Sequence, residues 1–149
     1  MYQAAVIYAP NSPEMSALSE QIARKLGQER LKVVRKEAAQ AIVPDLSAAN
    51  LVLLGSAAEG KAAIHQDFAE ILRALKGISL AGRAVGVFAL RSAETLQAFR
   101  KALADCEVPL ESRQFVSFQG SAAQDSDLGP WLGNLIEQLG ELEARKGGR

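Results

Sequence analysis

Asn11, Ser12 and Ser16 lie in a short polar segment between an apolar run and an apparent helix. The segment reads YAPNSPEMS, at 8–16. A loop that joins a strand to a helix often binds phosphate in α/β proteins, because the free N–H groups and the dipole of the helix favour an anion. The three side chains add hydrogen-bond donors of their own. The chemistry that these residues suggest is the binding of a phosphate group.

Other residues of the same segment oppose this chemistry. Pro10 and Pro13 lack the backbone N–H groups that a phosphate needs. Ser12, Pro13 and Glu14 form a self-sufficient helix start, with Ser12 as the N-cap and the proline at the first helical position. The Glu14 carboxylate would sit where the helix dipole favours an anion and would repel a phosphate. The segment therefore predicts a phosphate loop that has been closed.

Five other residues could bind or react, and each has an ordinary alternative. Lys61 and Arg91 follow two further apolar runs and could together clamp an anion, or they could be solvated loop charges. His65 is the only histidine and could act as a base or as a plate for a ring, or it could be a solvated loop residue. Cys106 and Trp131 lie on apolar helical stripes. We expect solvated loop positions for the first three and buried structural roles for the last two.

The chain contains no recognisable catalytic constellation. Paired carboxylates, a Ser-His-Asp set, a metal-spaced cluster and a nucleotide-binding glycine motif are all missing from the sequence. We therefore predict no catalytic residues and no metal site, and a binding protein in preference to an enzyme. An enzyme acting on another phosphorylated or carboxylated small molecule would depend on Lys61, His65 and Arg91 alone.

Composition excludes several classes of partner. The 17 basic residues balance the 17 acidic ones, so no net charge attracts nucleic acid or an anionic membrane. No apolar run approaches the roughly 18 residues of a membrane span, and Pro10 ends the first run too early for a signal peptide. The single cysteine cannot form an internal disulfide, which fits a reducing compartment. These features predict a cytoplasmic monomer or small homo-oligomer, whose partner is a protein of unknown identity or a small anionic ligand.

The elements that position these residues follow from hydrophobic periodicity. Consecutive apolar residues at 4–9, 51–56 and 84–90 predict strands that are buried on both faces. The shorter runs 115–118 and 31–34 predict two more strands, of which 31–34 is flanked by charge and suits an edge. Apolar residues at helical spacing alternate with these strands. The alternation predicts an α/β fold with a five-stranded parallel sheet and helices on both faces, in one domain over 1–142.

Four helices are predicted from the apolar stripes. Their faces are Met15, Leu18, Ile22 and Leu26; Phe68, Ile71, Leu72 and Leu75; Leu96, Phe99, Leu103 and Cys106; and Leu128, Leu132, Leu135, Ile136, Leu139 and Leu142. Pro44 interrupts 38–50 and restricts it to a short helix or a turn. The glycines and charges at 143–149 predict a disordered tail, since they offer nothing to bury.

Several stretches resemble the flavodoxins. SAANLVLLGSAAEG (47–60) is similar to their third strand and the loop that borders the flavin, and ISLAGRAVGVFAL (78–90) to the turn before their fourth strand. DLGPWLGNLIEQL (127–139) resembles their closing helix, and Val6, Ile7 and Tyr8 match the start of their first strand. The resemblance implies a flavodoxin-like three-layer sandwich with strand order 2-1-3-4-5. It places any ligand at the carboxyl ends of the strands, near strands one and three.

The positions that would bind FMN depart from the flavodoxin pattern. Pro10 and Met15 replace hydroxyl residues of the phosphate loop, and Pro13 replaces a small one. No aromatic residue occurs between Ser56 and Asp67, or in LRSAET (90–95), where flavodoxins supply rings that stack on the flavin. The residues that the resemblance would assign to a cofactor are Asn11, Ser12, Ser16, Ser56, Ala57, Lys61, His65 and Arg91.

Two functions follow from these departures. In the first, which we expect, the domain has lost FMN, holds no cofactor and acts as a binding or regulatory module at the carboxyl edge of its sheet. In the second, it is an FMN-binding electron carrier of the flavodoxin type with an atypical phosphate loop. The presence of flavin in the native protein separates them.

Overall fold

A computed structural model describes residues 2–9, 12–58, 61–119 and 125–147. Five parallel strands form one sheet in the order β2-β1-β3-β4-β5. This order is the one implied by the resemblance, and the predicted fold class is confirmed. The strands are β1 Gln3–Tyr8, β2 Lys32–Glu37, β3 Leu51–Ala57, β4 Ala84–Leu90 and β5 Phe115–Phe118. The helices are α1 Pro13–Gln28, α2 Val43–Ser47, α3 Ala69–Leu75, α4 Ala93–Leu103 and α5 Asp125–Gly147.

The three central strands are the three predicted from continuous apolar runs. Every residue of β4 is buried, and so are all residues of β1 and β3 except one at an end of each. Strands covered on both faces have no polar face to offer to water, which is why their sequences are apolar at consecutive positions. These strands bring the carboxyl ends of β1, β3 and β4 side by side.

The edge strand β2 extends beyond the segment predicted for it. It runs from Lys32 to Glu37, so it includes three charged residues after the predicted end at 34. Arg35 explains the extension, because its guanidinium carbon lies 4.5 Å from the centre of the Tyr8 ring and its Nε donates to Ser19 Oγ at 2.9 Å. A charged side chain that finds partners across the neighbouring elements is compatible with an edge strand.

The helices cover the two faces of the sheet as separate apolar layers. On one face, α1 and α5 bury Met15, Leu18, Ile22, Leu135 and Leu139 against β1, β3 and β4. On the other, α2, α3 and α4 bury Leu46, Ile71, Leu75, Phe99 and Leu103. The predicted helical stripes are therefore confirmed as the faces that pack on the sheet.

The predictions for the region of Pro44 and for the C-terminal segment have different outcomes. Pro44 does restrict its region to one turn of 3-10 helix and the five-residue α2. The closing helix α5, however, continues to Gly147 and so includes residues 143–147, which we expected to lie in a disordered tail. Leu142 packs against the core and extends the buried stripe of α5 almost to that point, which favours continuation of the helix. Residues 148–149 lie outside the described part of the chain. No helix among the described residues is long and apolar enough to cross a membrane.

Candidate functional site at the carboxyl edge of the sheet

The candidate site is the edge of the sheet where β1, β3 and β4 end. Parallel strands present their carboxyl ends on the same side, so the loops after these strands meet there. A hydrogen bond from Ala9 N to Gly55 O, at 3.1 Å, ties the exit of β1 to the end of β3. Asn11, one of the predicted binding residues, lies outside the described residues.

The start of α1 has the helix cap that the sequence predicts. Ser12 has an extended backbone, with φ of −159°, and its Oγ accepts a hydrogen bond from Met15 N at 3.2 Å. Ser12 O accepts a further bond from Ser16 N at 3.2 Å. Pro13 occupies the first turn and Met15 is completely buried. The Ser12 hydroxyl oxygen thus satisfies one of the free N–H groups of the helix.

Ser16 forms hydrogen bonds through its backbone carbonyl group. Its carbonyl oxygen accepts hydrogen bonds from Arg35 Nη2 and from Ser19 Oγ, each at 2.9 Å. These contacts join α1 to the edge strand β2. They place Ser16 on the side of α1 that leads away from β3 and β4.

Glu14 and Arg91 form an ion pair across the carboxyl edge. Arg91 Nη2 lies 2.9 Å from Glu14 Oε1 and Nη1 lies 3.0 Å from Oε2, so the guanidinium binds both carboxylate oxygens. Arg91 Nη1 also donates to Gln119 O at 2.8 Å, which connects the loops after β1, β4 and β5. We expected the Glu14 carboxylate to interact with the helix dipole and Arg91 to be a solvated charge. The structure instead joins them, although both side chains stay about half exposed.

The ion pair changes the acidity of both groups. Hydrogen bonds from Arg91, and then its positive charge, lower the pKa of the Glu14 carboxyl below its ordinary value. The same contacts raise the pKa of the Arg91 guanidinium. A carboxyl with a lowered pKa and a guanidinium with a raised pKa both keep their charge at neutral pH.

The backbone of Arg91 is in a conformation that side-chain-bearing residues seldom adopt. Its φ is +48°, in the left-handed region. Its N–H donates to Phe118 O at 2.8 Å, which fixes the chain where β4 ends beside β5. A non-glycine residue held in this region at a strand end is a frequent feature of functional loops. No pattern in the sequence indicates it.

The loop after β3 is held by buried hydroxyl groups. Ser56 is fully buried, and its Oγ donates to Ala57 O and accepts from His65 N, both at 3.0 Å. His65 is not the solvated residue that we expected, since only 11% of its side chain is exposed. Its Nδ1 accepts a hydrogen bond from Asp67 N at 3.1 Å and caps a turn of 3-10 helix at Gln66–Phe68. His65 therefore has a structural role in this loop.

Thr95 contributes to this region through a contact that the sequence does not predict. It is fully buried at the start of α4, and its hydroxyl donates to Ala63 O and lies 2.8 Å from Ser92 Oγ. Ser92 is the N-cap of α4 and accepts from Thr95 N at 3.2 Å. The spacing of a serine and a threonine before an apolar helix could have revealed the cap, but not the contact with the loop after β3. Thr95 joins the two loops that border the edge.

The remaining candidates divide between exposed and buried positions. Lys61 and Ala58 are exposed and Ala57 is half-buried at the edge itself. Trp131 is buried in the core, where its Nε1 donates to Gln114 O at 2.9 Å and its ring packs edge-on against Phe88. Its predicted role as a core anchor is confirmed.

Cys106 is also buried, as predicted. Its Sγ donates to Leu75 O at 3.1 Å. Burial, and then the nearby charge of Asp105, raise the pKa of its thiol. A thiol with a raised pKa is a poor nucleophile.

The carboxyl edge can therefore interact with an anion through Arg91, Lys61 and the backbone of small residues. Ala57 and Ala58 place only small side chains at the edge. The loops after β3 and β4 offer no aromatic ring for stacking. The charged group of a ligand has partners here, whereas an aromatic group would rest on small apolar surface only.

Comparison with solved structures places most of the chain on the flavodoxin-like fold. Flavodoxin 2 from Bacillus cereus matches with a TM-score of 0.75 and 20% identity, over 90% of this chain and 95% of that one. A short-chain flavodoxin associated with a non-canonical PDU bacterial microcompartment matches with a TM-score of 0.78 and 17% identity, over 93% and 99%. The flavodoxin of Streptococcus pneumoniae TIGR4 matches with a TM-score of 0.75 and 18% identity, over 97% and 99%.

These identities are low, and the likeness is one of fold. No protein-family model matches the chain, and no curated protein matches it either.

Proposed function

We propose that this protein binds FMN at the carboxyl edge of its sheet and serves as an electron carrier of the flavodoxin type. The observation that supports this best is the extent of the likeness to a short-chain flavodoxin, which includes 93% of this chain and 99% of that one. A ligand in such a fold binds outside the carboxyl ends of the strands, near β1 and β3. Because a fold alone does not define a function, the residues of the edge have to suit each part of the cofactor.

The phosphate of FMN suits the charged residues of the edge. Arg91 has two Nη donors beside the start of α1, at present directed to the carboxylate of Glu14. The same fork binds a phosphate through two parallel hydrogen bonds. Lys61 is exposed in the neighbouring loop and adds a second positive charge. Ser12 Oγ already accepts from Met15 N, so it would hold a phosphate only by donating its own proton.

The flavin ring has less support than the phosphate. Ala57 and Ala58 place only small side chains beside β3, and Ser56, His65 and Thr95 keep the adjoining loop in place. Stacking on an aromatic side chain would add about 0.5–1.5 kcal/mol per pair, and none is available in these loops. We therefore expect an affinity for FMN in the micromolar range, with much of the ring open to solvent.

Bound FMN would supply reversible electron transfer, and the protein would contribute binding, orientation and exposure of the ring. The zero net charge of the chain gives no overall steering of a charged redox partner. Encounter would depend on the local charges at the edge, which are those of Lys61, Arg91, Glu14 and the FMN phosphate.

Titration with flavins tests this proposal. The purified protein, freed of any flavin by denaturation and refolding, is titrated with FMN and with riboflavin while flavin fluorescence is followed. We expect saturable quenching by FMN at micromolar protein, and weaker binding of riboflavin, which lacks the phosphate. Absence of saturation with FMN, in protein shown to be folded by circular dichroism, would contradict the proposal.

A second candidate is a binding module without flavin, and the closed start of α1 favours it. Ser12 caps the helix, Pro13 removes a donor and Glu14 holds the arginine that a phosphate would use. In this case the carboxyl edge would recognise an anionic group of a partner. Lack of flavin binding, together with salt-sensitive association of an anionic partner that Lys61→Glu abolishes, would distinguish this function from electron transfer.

A further inference from the structure

We infer that Arg91 is the anion-recognising residue of the carboxyl edge and that Glu14 is an internal competitor, which a phosphate group displaces from it. The inference rests in part on the proposed function, since FMN is one source of such a group. It applies equally to inorganic phosphate, and the two sources can be tested separately.

The geometry of the pair is that of a guanidinium with a bound anion. Two different Arg91 nitrogens reach two different Glu14 oxygens, at 2.9 and 3.0 Å. The same planar fork binds two oxygens of a phosphate equally well. The Glu14 carboxylate thus stands where an anion of the ligand would stand, between the first turn of α1 and the end of β4.

Arg91 is held in place by contacts that do not involve Glu14. Its backbone N–H donates to Phe118 O, and its Nη1 donates to Gln119 O, each at 2.8 Å. Its left-handed backbone, with φ of +48°, is stabilised from the β5 side of the sheet. Removing the Glu14 carboxylate should therefore leave the guanidinium at the edge, with two donors directed toward the start of α1.

The Glu14 carboxylate can separate from Arg91 at little cost. Its side chain is 42% exposed and that of Arg91 is 50% exposed, so both can be hydrated when the pair opens. Exposed ion pairs contribute little to stability, because water screens them and the side chains lose entropy. A phosphate dianion carries more charge than the carboxylate and competes well for the same donors. The competition lowers the affinity for phosphate without abolishing it.

The test compares two carboxylates at the same edge. Glu14→Gln removes the competitor and keeps the size of the side chain. Glu94→Gln makes the same change of charge in the first turn of α4, three residues after Arg91, at an exposed carboxylate that forms no ion pair among the described residues. Arg91→Gln removes the proposed recognition group. Each variant is titrated with FMN, riboflavin and inorganic phosphate, the last followed by NMR shifts of the edge amides.

We expect Glu14→Gln to lower the dissociation constants of FMN and inorganic phosphate about two- to fivefold. The ligand then no longer has to break the ion pair between Glu14 and Arg91, and this factor corresponds to the free energy of an exposed ion pair. Riboflavin binding should be unchanged. Glu94→Gln should change the phosphate affinity less than Glu14→Gln does, and Arg91→Gln in the Glu14→Gln background should cancel the gain.

Other results overturn the inference in ways that separate it from the proposed function. Equal gains for Glu14→Gln and Glu94→Gln would mean that only overall charge matters, and Arg91 would not be the recognition group. FMN binding to the wild type with no change in Glu14→Gln would leave the proposed function standing and refute the inference. A gain for inorganic phosphate without any flavin binding would support the inference and refute the proposed function. No binding of either ligand by any variant would refute both.

Discussion

Gly55 in β3 lies beside Phe88 in β4, and the Phe88 ring occupies the space where a side chain at residue 55 would be. A Cβ atom built on Gly55 would come within 2.1 Å of the Phe88 ring. The two residues are partners in the register of the parallel pair. The ring cannot move aside easily, because it packs edge-on against Trp131 with 5.8 Å between ring centres. Gly55 therefore allows an aromatic layer to form between the sheet and α5.

Gly55→Ala should lower the free energy of unfolding by about 1–3 kcal/mol, the usual cost of an added atom in a full core. The matched control is Gly27→Ala, since a Cβ on Gly27 in α1 meets nothing within 4 Å. That change should raise stability by about 0.5–1 kcal/mol, because alanine favours a helix. Urea unfolding of both variants measures the difference. Equal stability of the two would show that Phe88 can repack.

Gln114 is a buried amide whose hydrogen-bonding groups all have partners. Its Nε2 donates to Val85 O at 2.7 Å and to Pro109 O at 2.8 Å, and its Oε1 accepts from Glu111 N at 2.7 Å. Gln114→Leu should destabilise the protein by about 1–3 kcal/mol, because it leaves backbone groups unsatisfied in the interior. Gln97→Leu, at an exposed position of α4, is the control and should have little effect. Thermal unfolding of the two variants provides the measurement, and similar midpoints would contradict the prediction.

The pKa of Glu14 provides a direct measure of its pair with Arg91. In the wild type the carboxyl should titrate below its ordinary value of 4.5. Arg91→Gln removes the hydrogen bonds and the charge that lower this pKa, and the value should rise toward 4.5. Carbon-detected NMR titration of the Glu14 carboxyl measures both. An unchanged pKa in Arg91→Gln would show that the pair does not persist in solution.

The same shift predicts how stability depends on pH. The folded-state pKa of Glu14 is lower than the unfolded-state pKa, so the stability that the pair contributes is complete above the ordinary value of 4.5 and disappears as the pH falls through the folded-state value. Stabilities of the wild type and Glu14→Gln should therefore converge in acid. Because the pair is exposed, the difference at neutral pH should be small.

Arg30 is a position where a substitution should raise the stability of the protein. It has a φ of +65° two residues after the end of α1, and its N–H donates to Gly27 O at 3.2 Å. Arg30→Gly should raise the free energy of unfolding by about 0.5–1 kcal/mol, since glycine adopts this conformation without steric cost. Ala17→Gly, at an exposed position within α1, should lower it by a similar amount, about 0.5–1 kcal/mol. Chemical denaturation distinguishes the two, and destabilisation by both would refute the argument from φ.

The sequence predicts the fold well because the fold is encoded in local patterns. Continuous apolar runs identify β1, β3 and β4, and the helical stripes identify the faces of α1 and α5. The cap at Ser12 is equally local and is predicted correctly. These features depend on residues within a few positions of one another.

The site is predicted less well because its contacts join distant parts of the chain. The pair between Glu14 and Arg91 spans 77 positions, and that between Thr95 and Ala63 spans 32. Charge and hydroxyl groups carry no periodic signal, so the sequence shows the residues but not their partners. The positive φ of Arg91 is invisible for the same reason, since it is imposed by the bond to Phe118 on a neighbouring strand.

Thr95 provides the last prediction, which relates the order of the loop after β3 to ligand binding. Its hydroxyl donates to Ala63 O, two residues before His65, whose N–H is in turn bonded to Ser56 Oγ. Thr95→Val retains the shape of the side chain but leaves the Ala63 carbonyl without this donor. We expect a loss of about 1–2 kcal/mol in local stability, because the bond is shielded from water.

Hydrogen exchange at the His65 amide measures this loss, and it should be faster in Thr95→Val than in the wild type. Thr95→Ser is the matched control, since it keeps the hydroxyl and removes only the methyl group, and its exchange should remain close to wild type. If the loop forms one wall of the flavin site, Thr95→Val should also weaken FMN binding, because ordering the loop then opposes binding. Faster exchange with unchanged FMN affinity would show that the loop after β3 does not contact the ligand.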